Sequence, residues 1–366
     1  MRKPSLAFVS VPRVDMRVSG QFEGLLDPLL SKLEVFRSKG SDRVAVPCLA
    51  QQVPMVLKCF PNAVLIKQIS NEADAQASMR SVTMIPELGF KFRMELSFAC
   101  HITSAVCTIT RGTAVQGPWI TSLLYKPTPT DVWVFGEVAS ICGSQEDFSQ
   151  AKNMSSVLRE DLEQKASLQN EALIVAAALL EQHPTDGRTY AEILFNLTTV
   201  AEKTAWLGEY FTRFFALMLQ PLVRYEIALD AHMQNVVVRI CTETGYIKGF
   251  AIRDVKFHKP TLLKKGFNVD WEVEGSLTLT DEIISVWSIA SHTIVQSHIA
   301  GDIYPMQLEA QGGWGVAREA LTEMLAKDSS KTAKLLLKYF LKGTVALKCF
   351  FRMIVEGVYR YMSTGP

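Results

Sequence analysis

The sequence predicts an α+β chain: an antiparallel sheet with helices in an N-terminal lobe, then a mostly helical lobe carrying a small β-hairpin, with a cleft between them. Three observations point there. The segment 90–99 alternates Phe92, Met94, Leu96 and Phe98 with Arg93, Glu95 and Ser97, the period of a half-buried strand. Beyond residue 145 the texture changes to long stretches of helical spacing. Within these, 235–242 and 247–253 read as a hairpin around a short turn.

In order, residues 6–11 read as a short strand, 22–37 as a helix with apolar spacing, and 131–142 as a strand rich in Val, Trp, Phe and Ile. Helical patterns are predicted over 147–164, 170–182 and 190 to about 230, the last interrupted at Pro221. Trp206, Tyr210, Phe214, Phe215 and Met218 form an aromatic stripe at helical spacing, which reads as core. A further helical block runs from 281, with Thr280 or Asp281 as cap, to 361, with breaks near Gly301, Gly312 and Asp328. The expected division is an α+β lobe over 1–145 and a mainly helical lobe over 146–366.

Composition excludes several function classes. The 366 residues are 48% hydrophobic and 20% charged, with a formal net charge of +1. A balanced chain of this kind has no basic field to collect nucleic acid. No apolar run approaches the roughly 18 to 20 residues of a membrane span, and the N-terminal apolar run ends at Pro12 and Arg13, too short for a signal peptide. Seven widely spaced cysteines without a CxxC pair argue against a zinc site or disulfide framework and for buried thiols in a reducing, cytoplasmic setting.

Two short strings carry the chemistry. Ala77-Ser-Met-Arg-Ser81 places the Ser78 hydroxyl and the Arg80 guanidinium two residues apart, donors suited to phosphate oxygens. Leu229-Asp-Ala-His-Met-Gln-Asn235, followed by Arg253-Asp254, supplies His232, Gln234 and Asn235 as hydrogen-bonding groups, with Asp230 and Asp254 as hard oxygen ligands for magnesium. The plainer alternative is that His232 and Asn235 only cap and turn the chain.

With further strings in the same order, these resemble the siderophore synthetases that work independently of nonribosomal peptide synthetases, the aerobactin-synthetase-like (IucA/IucC) family of ATP-dependent carboxylate–amine ligases. Phe8-Val-Ser-Val-Pro-Arg13, Val46-Pro-Cys-Leu-Ala-Gln51, Phe60-Pro61, Glu95 to Cys107 with Gly117-Pro118, and Lys348 to Gly357 carry the rest of the resemblance. It implies ATP and magnesium at the Ser78–Arg80 and His232–Asp254 positions, and a homodimer.

Departures from the family pattern set a second expectation. Glu95 stands where the family carries Lys, Cys107 where it carries Arg, and Ile354 at another Arg position, with Arg352 as the alternative register; Cys48-Leu49-Ala50 replaces much of a His-Pro-Trp element. The family's N-terminal region has no counterpart, the sequence beginning beyond it. Carboxylate adenylation builds negative charge that cations must stabilise. Their loss predicts a cleft turned into an apolar pocket for a neutral small molecule of secondary metabolism, with no cofactor and no metal.

In this reading Ser78, Arg80, His232, Asn235 and Asp254 are the catalytic groups. Glu95, Thr103, Ser104, Cys107, Gln234, Arg253 and Ile354 contact the substrate. The reaction is a cyclisation, pericyclic of Diels–Alder type being one form, promoted by holding the reacting ends together. The alternative is a divergent ATP- and magnesium-dependent ligase, in which Lys91, Arg93 or Arg111 replaces a lost phosphate contact. A third is a noncatalytic scaffold.

Overall fold

The computed structural model describes residues 3–36, 42–78, 80–98, 101–102, 105–106, 111–269, 278–342, 346–348 and 361–363. Thr103, Ser104, Cys107 and Ile354 lie outside them.

Two antiparallel sheets build the first half. The apolar strand Leu6–Pro12 is central in a three-stranded sheet, flanked by Arg43–Leu49 and Val64–Ile69. A six-stranded sheet runs in the order Met16–Ser19, Glu137–Gly143, Ser155–Glu160, Phe92–Leu96, Ser81–Met84, Ala73–Ala75. Phe8, Phe22, Leu26, Met94, Ile141 and Leu158 share one core. Because strand side chains alternate, burying Met94 and Leu96 turns Arg93 and Glu95 to the other face.

Register then fixes that face. Arg159 pairs with Glu137 on one side and Arg93 on the other, and Glu95 is opposite Ser81 and, across the other neighbour, Val157. Arg159 and Glu95 are therefore diagonal neighbours on one face, within reach for long side chains.

The second core surrounds the helix Val200–Tyr225, whose Tyr210, Phe211, Phe214 and Phe215 are fully buried. Its start is set by Thr199, whose side chain accepts from the Glu202 amide while Glu202 reaches back to the Thr199 amide. Pro221 sits inside the last turns without ending the helix. The hairpin expected at 235–253 is present as Val236–Cys241 and Ile247–Ile252. It joins a four-stranded sheet with Val132–Val134, parallel to Ile247–Ile252, and Glu171–Val175.

Several predicted helices are corrected. The segment 147–164 holds the short helix Phe148–Ala151 and the strand Ser155–Glu160, and 170–182 holds the strand Glu171–Val175 before the short helix Ala176–Leu179. Ala, Leu and Glu favour helix, but Ser155–Glu160 lies between two strands and Glu171–Val175 pairs at the edge of another sheet, and tertiary pairing overrides propensity. The strand expected over 131–142 is two, Val132–Val134 and Glu137–Gly143, which enter different sheets. The block from 281 begins as Ile283–Ser291, passes into a π-helix over His292–Ile299 and continues through Gly301 in Ala300–Ile303. Thr280 accepts from the Glu282 amide at 3.2 Å, just ahead of that block. Gly313–Ala326 and Lys331–Phe340 follow the breaks at Gly312 and Asp328. Among the described residues no helix is long and apolar enough to cross a membrane, and the described cysteines Cys48, Cys59, Cys142 and Cys241 are free thiols.

Candidate functional site

The charged face of the six-stranded sheet and the turn before the hairpin enclose one cleft. Gln76, Ala77, Ser78 and Ser81 form one wall, Arg93, Glu95 and Arg159 the floor, and Gln234, Asn235 and Arg253 the opposite wall; Phe135, Val175 and Val237 add apolar surface. The two strings singled out in the sequence, far apart along the chain, are in contact: the Gln234 side-chain amide donates to the Ala77 carbonyl at 2.6 Å.

Glu95 is the electrostatic centre. Its side chain is 7% exposed, and its two carboxylate oxygens lie 2.7 Å from Arg80 Nη2 and 2.6 Å from Arg159 Nη1. Burial works against its charge, but the guanidiniums of Arg159, Arg80 and Arg253 outweigh burial and hold its pKa below the ordinary carboxylate range. Glu95 is therefore ionised at neutral pH. Arg159 is buried too, and Glu95, Glu137 and Asp254 more than offset that burial and keep it charged. It donates to Glu137 Oε1 at 2.6 Å and stands 3.6 Å from Asp254. For Glu137, burial prevails and raises its pKa in spite of Arg159.

On the facing wall, Arg253 donates through Nε to Asn235 Oδ1 at 3.0 Å, and burial lowers its pKa. A second cavity continues beyond Arg253 and Phe135, lined by Glu137, Asp254, Thr121 and Gly117. Asp254, at φ +64°, is in the left-handed region that non-glycine residues enter at a cost.

The structure thus brings Ser78, Arg80, Glu95, Gln234, Asn235 and Arg253 together, with Asp254 in the adjoining cavity. His232 is on the same turn but exposed, its Nδ1 accepting from the Gln234 amide at 3.3 Å. Asp230 joins the site through its backbone amide, which donates to the Asp254 carbonyl at 2.9 Å. Among the described residues no three His, Cys, Asp or Glu side chains converge as a metal site. Of the substitutes considered for a lost phosphate contact, Arg93 lines the cleft but is tied to Asp161 and Glu163, and Lys91 lines a separate cavity beside them.

Of the positions where the sequence reading expected lost cations, only Glu95 is among the described residues. Arg80, Arg159 and Arg253 gather around it and Glu95 offsets part of their charge, so the cleft is charged and hydrogen-bonding with a part-apolar wall. Sequence reasoning missed Arg159 because it lies in no motif and in a segment read as helix. Its one signal is its place after Val157-Leu158, in a run able to form a strand.

Comparison with known proteins agrees with this geometry. Residues 62–181, which carry Arg80, Glu95, Glu137 and Arg159, match the model described as IucA / IucC family. Residues 204–358, which carry the 229–254 turn, match one described as ferric iron reductase FhuF-like transporter. The chain is 42% identical over 96% of its length to the NRPS-independent siderophore synthetase-like protein ankE of Aspergillus thermomutatus, covering 59% of that protein. It is 29% identical over 98% of its length to the NRPS-independent siderophore synthetase rfs of Rhizopus delemar, covering 58%, so it spans under two thirds of these relatives.

In fold it is similar to the petrobactin biosynthesis protein AsbB of Bacillus anthracis, with a TM-score of 0.80 at 13% identity over 99% of this chain and 68% of the other. ATP-bound aerobactin synthetase IucA of Klebsiella pneumoniae gives 0.77 at 14% identity over 99% and 69%. Family match, relatives and fold coincide: the chain matches the IucA / IucC family over residues 62–181 and is similar along nearly its whole length to NRPS-independent siderophore synthetase-like proteins.

Proposed function

We propose that this cleft binds an anionic small molecule beside a nucleotide and joins a carboxylate to an amine or hydroxyl group, the ATP- and magnesium-dependent ligase reading. One observation carries it. Glu95 occupies a seat formed by Arg80 and Arg159, with Arg253 close by, a donor arrangement that fits an oxyanion. The similarity to known ligases supports it, one being the D-ornithine–citrate ligase of Staphylococcus aureus, 24% identical over 64% of this chain.

The residues fit a nucleotide in chemical type. The guanidiniums of Arg80, Arg159 and Arg253 and the hydroxyls of Ser78 and Ser81 suit phosphate oxygens, and Asp254, about half exposed, is the carboxylate placed for an accompanying magnesium ion. Bound ATP would supply the phosphoryl chemistry that activates a carboxylate. Arg159 and Arg253 stabilise negative charge in a site screened from water, where such charges act most strongly. Gln234 and Asn235 hold the two walls in register through Ala77 and Arg253. Glu95 acts as a fixed counter-charge that lowers the ligand charge the cleft accepts.

The cofactor-independent cyclase remains the second reading, favoured by the apolar surface of Phe135, Val175 and Val237. It requires a neutral ligand, for which buried guanidiniums are poor company. Thermal unfolding with and without ATP and magnesium separates the two. The ligase reading expects a rise in Tm that Arg253→Ala abolishes. No rise, with stabilisation and conversion of an apolar polyene instead, would overturn it in favour of the cyclase.

A further inference from the structure

A group outside both sequence strings controls the turn that carries Gln234 and Asn235. His298 lies in the π-helix His292–Ile299 and is fully buried. Its Nδ1 is 3.0 Å from the Ala231 carbonyl oxygen, and its Nε2 is 2.7 Å from the Tyr210 hydroxyl. A carbonyl only accepts, so Nδ1 carries the hydrogen and Nε2 accepts from Tyr210. Phe214 stacks on the ring with centroids 4.0 Å apart, fixing its plane.

The next turn adds a second constraint. A Cβ at Gly301 would stand 2.0 Å from Met233 Sδ, so the absence of a side chain there admits Met233. Ala231 and Met233 flank His232 on the turn, whose Asn235 amide donates to the His232 carbonyl at 2.7 Å. Gln234 then reaches Ala77, and Asn235 accepts from Arg253. A continuous path runs from the core helix through His298 to both walls of the cleft. A π-segment is a rare irregularity that widens the helix and often marks functional sites.

We infer that His298 is a positioning residue: its Nδ1–H anchors the Ala231 carbonyl and thereby sets Gln234 and Asn235 against the Ser78 loop and Arg253. It touches no substrate. The functional arm of this inference rests on the ligase reading; the structural arm does not.

The test uses the full chain with His298→Phe, which keeps the stacked ring and loses the donor, and His298→Asn, whose side-chain amide retains a donor near the Nδ1 position. Tyr210→Phe leaves the Ala231 contact intact. In the structural arm, nitrogen-15 NMR of the wild type should show the Nδ1–H tautomer. Hydrogen exchange at the 235 and 236 amides should rise about tenfold or more in His298→Phe, be largely restored in His298→Asn, and leave the Val238 and Ile240 amides unmoved.

In the functional arm, ATP with magnesium should bind about tenfold more weakly to His298→Phe and near normally to His298→Asn and Tyr210→Phe. If the wild type does not bind ATP, the ligase reading fails while the exchange result still judges the inference. An Nε2–H tautomer, or equal exchange in His298→Phe and wild type, overturns it. So does uniform loss of protection through the whole hairpin, which marks a purely structural role.

Discussion

Glu95→Gln removes the one charge that organises the cleft while keeping its shape. Each guanidinium–carboxylate pair, at a charge separation of about 4 Å and an effective dielectric of about 20, is worth about 4 kcal/mol before desolvation. Glu95 makes two such pairs, at 2.7 and 2.6 Å, with its side chain 7% exposed. Desolvation takes back several kcal/mol per ion, and breaking a buried pair by removing one partner typically costs about 3–5 kcal/mol. Glutamine retains a carbonyl oxygen for one guanidinium, which places the expected loss near about 3 kcal/mol.

Urea unfolding at pH 7, followed by circular dichroism, measures it. The same variant removes the counter-charge that Arg80 and Arg159 share, with Glu137 still beside Arg159. Citrate or pyrophosphate is therefore expected to stabilise Glu95→Gln by at least about 1 kcal/mol more than the wild type, through binding to the native state alone. A loss below about 1 kcal/mol, or equal stabilisation of both proteins by the anions, would refute the idea that Glu95 occupies an oxyanion seat.

Other outcomes follow from packing and titration. Gly249→Ala places a Cβ 2.2 Å from the Asp131 carbonyl oxygen, where the hairpin strand and its parallel neighbour approach closely. A loss of about 1–3 kcal/mol is expected in the same urea assay, the range for overpacking. Thr199→Ala removes the side-chain cap of the 26-residue helix and should cost about 1 kcal/mol. Burial lowers the His298 pKa to about 3, against about 6.5 in the unfolded chain. Its neutral form is favoured by folding, so its stabilising effect is complete above about pH 6.5 and declines as pH falls toward 3. The buried Asp302 carboxyl, 3.7 Å from Nε2 and raised by burial, works in the opposite sense, so the His298 effect is read as a difference: between pH 6.5 and 5 the wild type should lose about 2 kcal/mol relative to His298→Phe. Glu95, held below its ordinary range, loses its contribution only at lower pH, while Glu137, raised by burial, works in the opposite sense.

Much of the architecture was legible because it rests on local periodicity. The alternation through Phe92, Met94 and Leu96 locates the strand that aims Glu95 into the cleft, and the Trp206–Met218 stripe identifies the central core helix. The hairpin was equally readable from its apolar strands and turn. Glu171–Val175 and Ser155–Glu160 were not, since their strand state comes from neighbours distant in sequence. Reading Ser155–Glu160 as helix concealed Arg159. Without that guanidinium, Glu95 looked like an anion intruding on a phosphate site, when it is the partner of two arginines. Ser78, Gln234, Asn235 and Arg253 were found as strings because their motifs are contiguous. The role of His298 depends on a packing contact 67 residues away in sequence.

Calorimetric titration of the wild type and Arg253→Gln with ATP and magnesium bears most directly on whether the cleft still handles anions. Saturable one-to-one binding by the wild type, weakened about tenfold or more in Arg253→Gln, is the expected result. No binding heat from ATP, citrate or pyrophosphate at any concentration up to millimolar would contradict it.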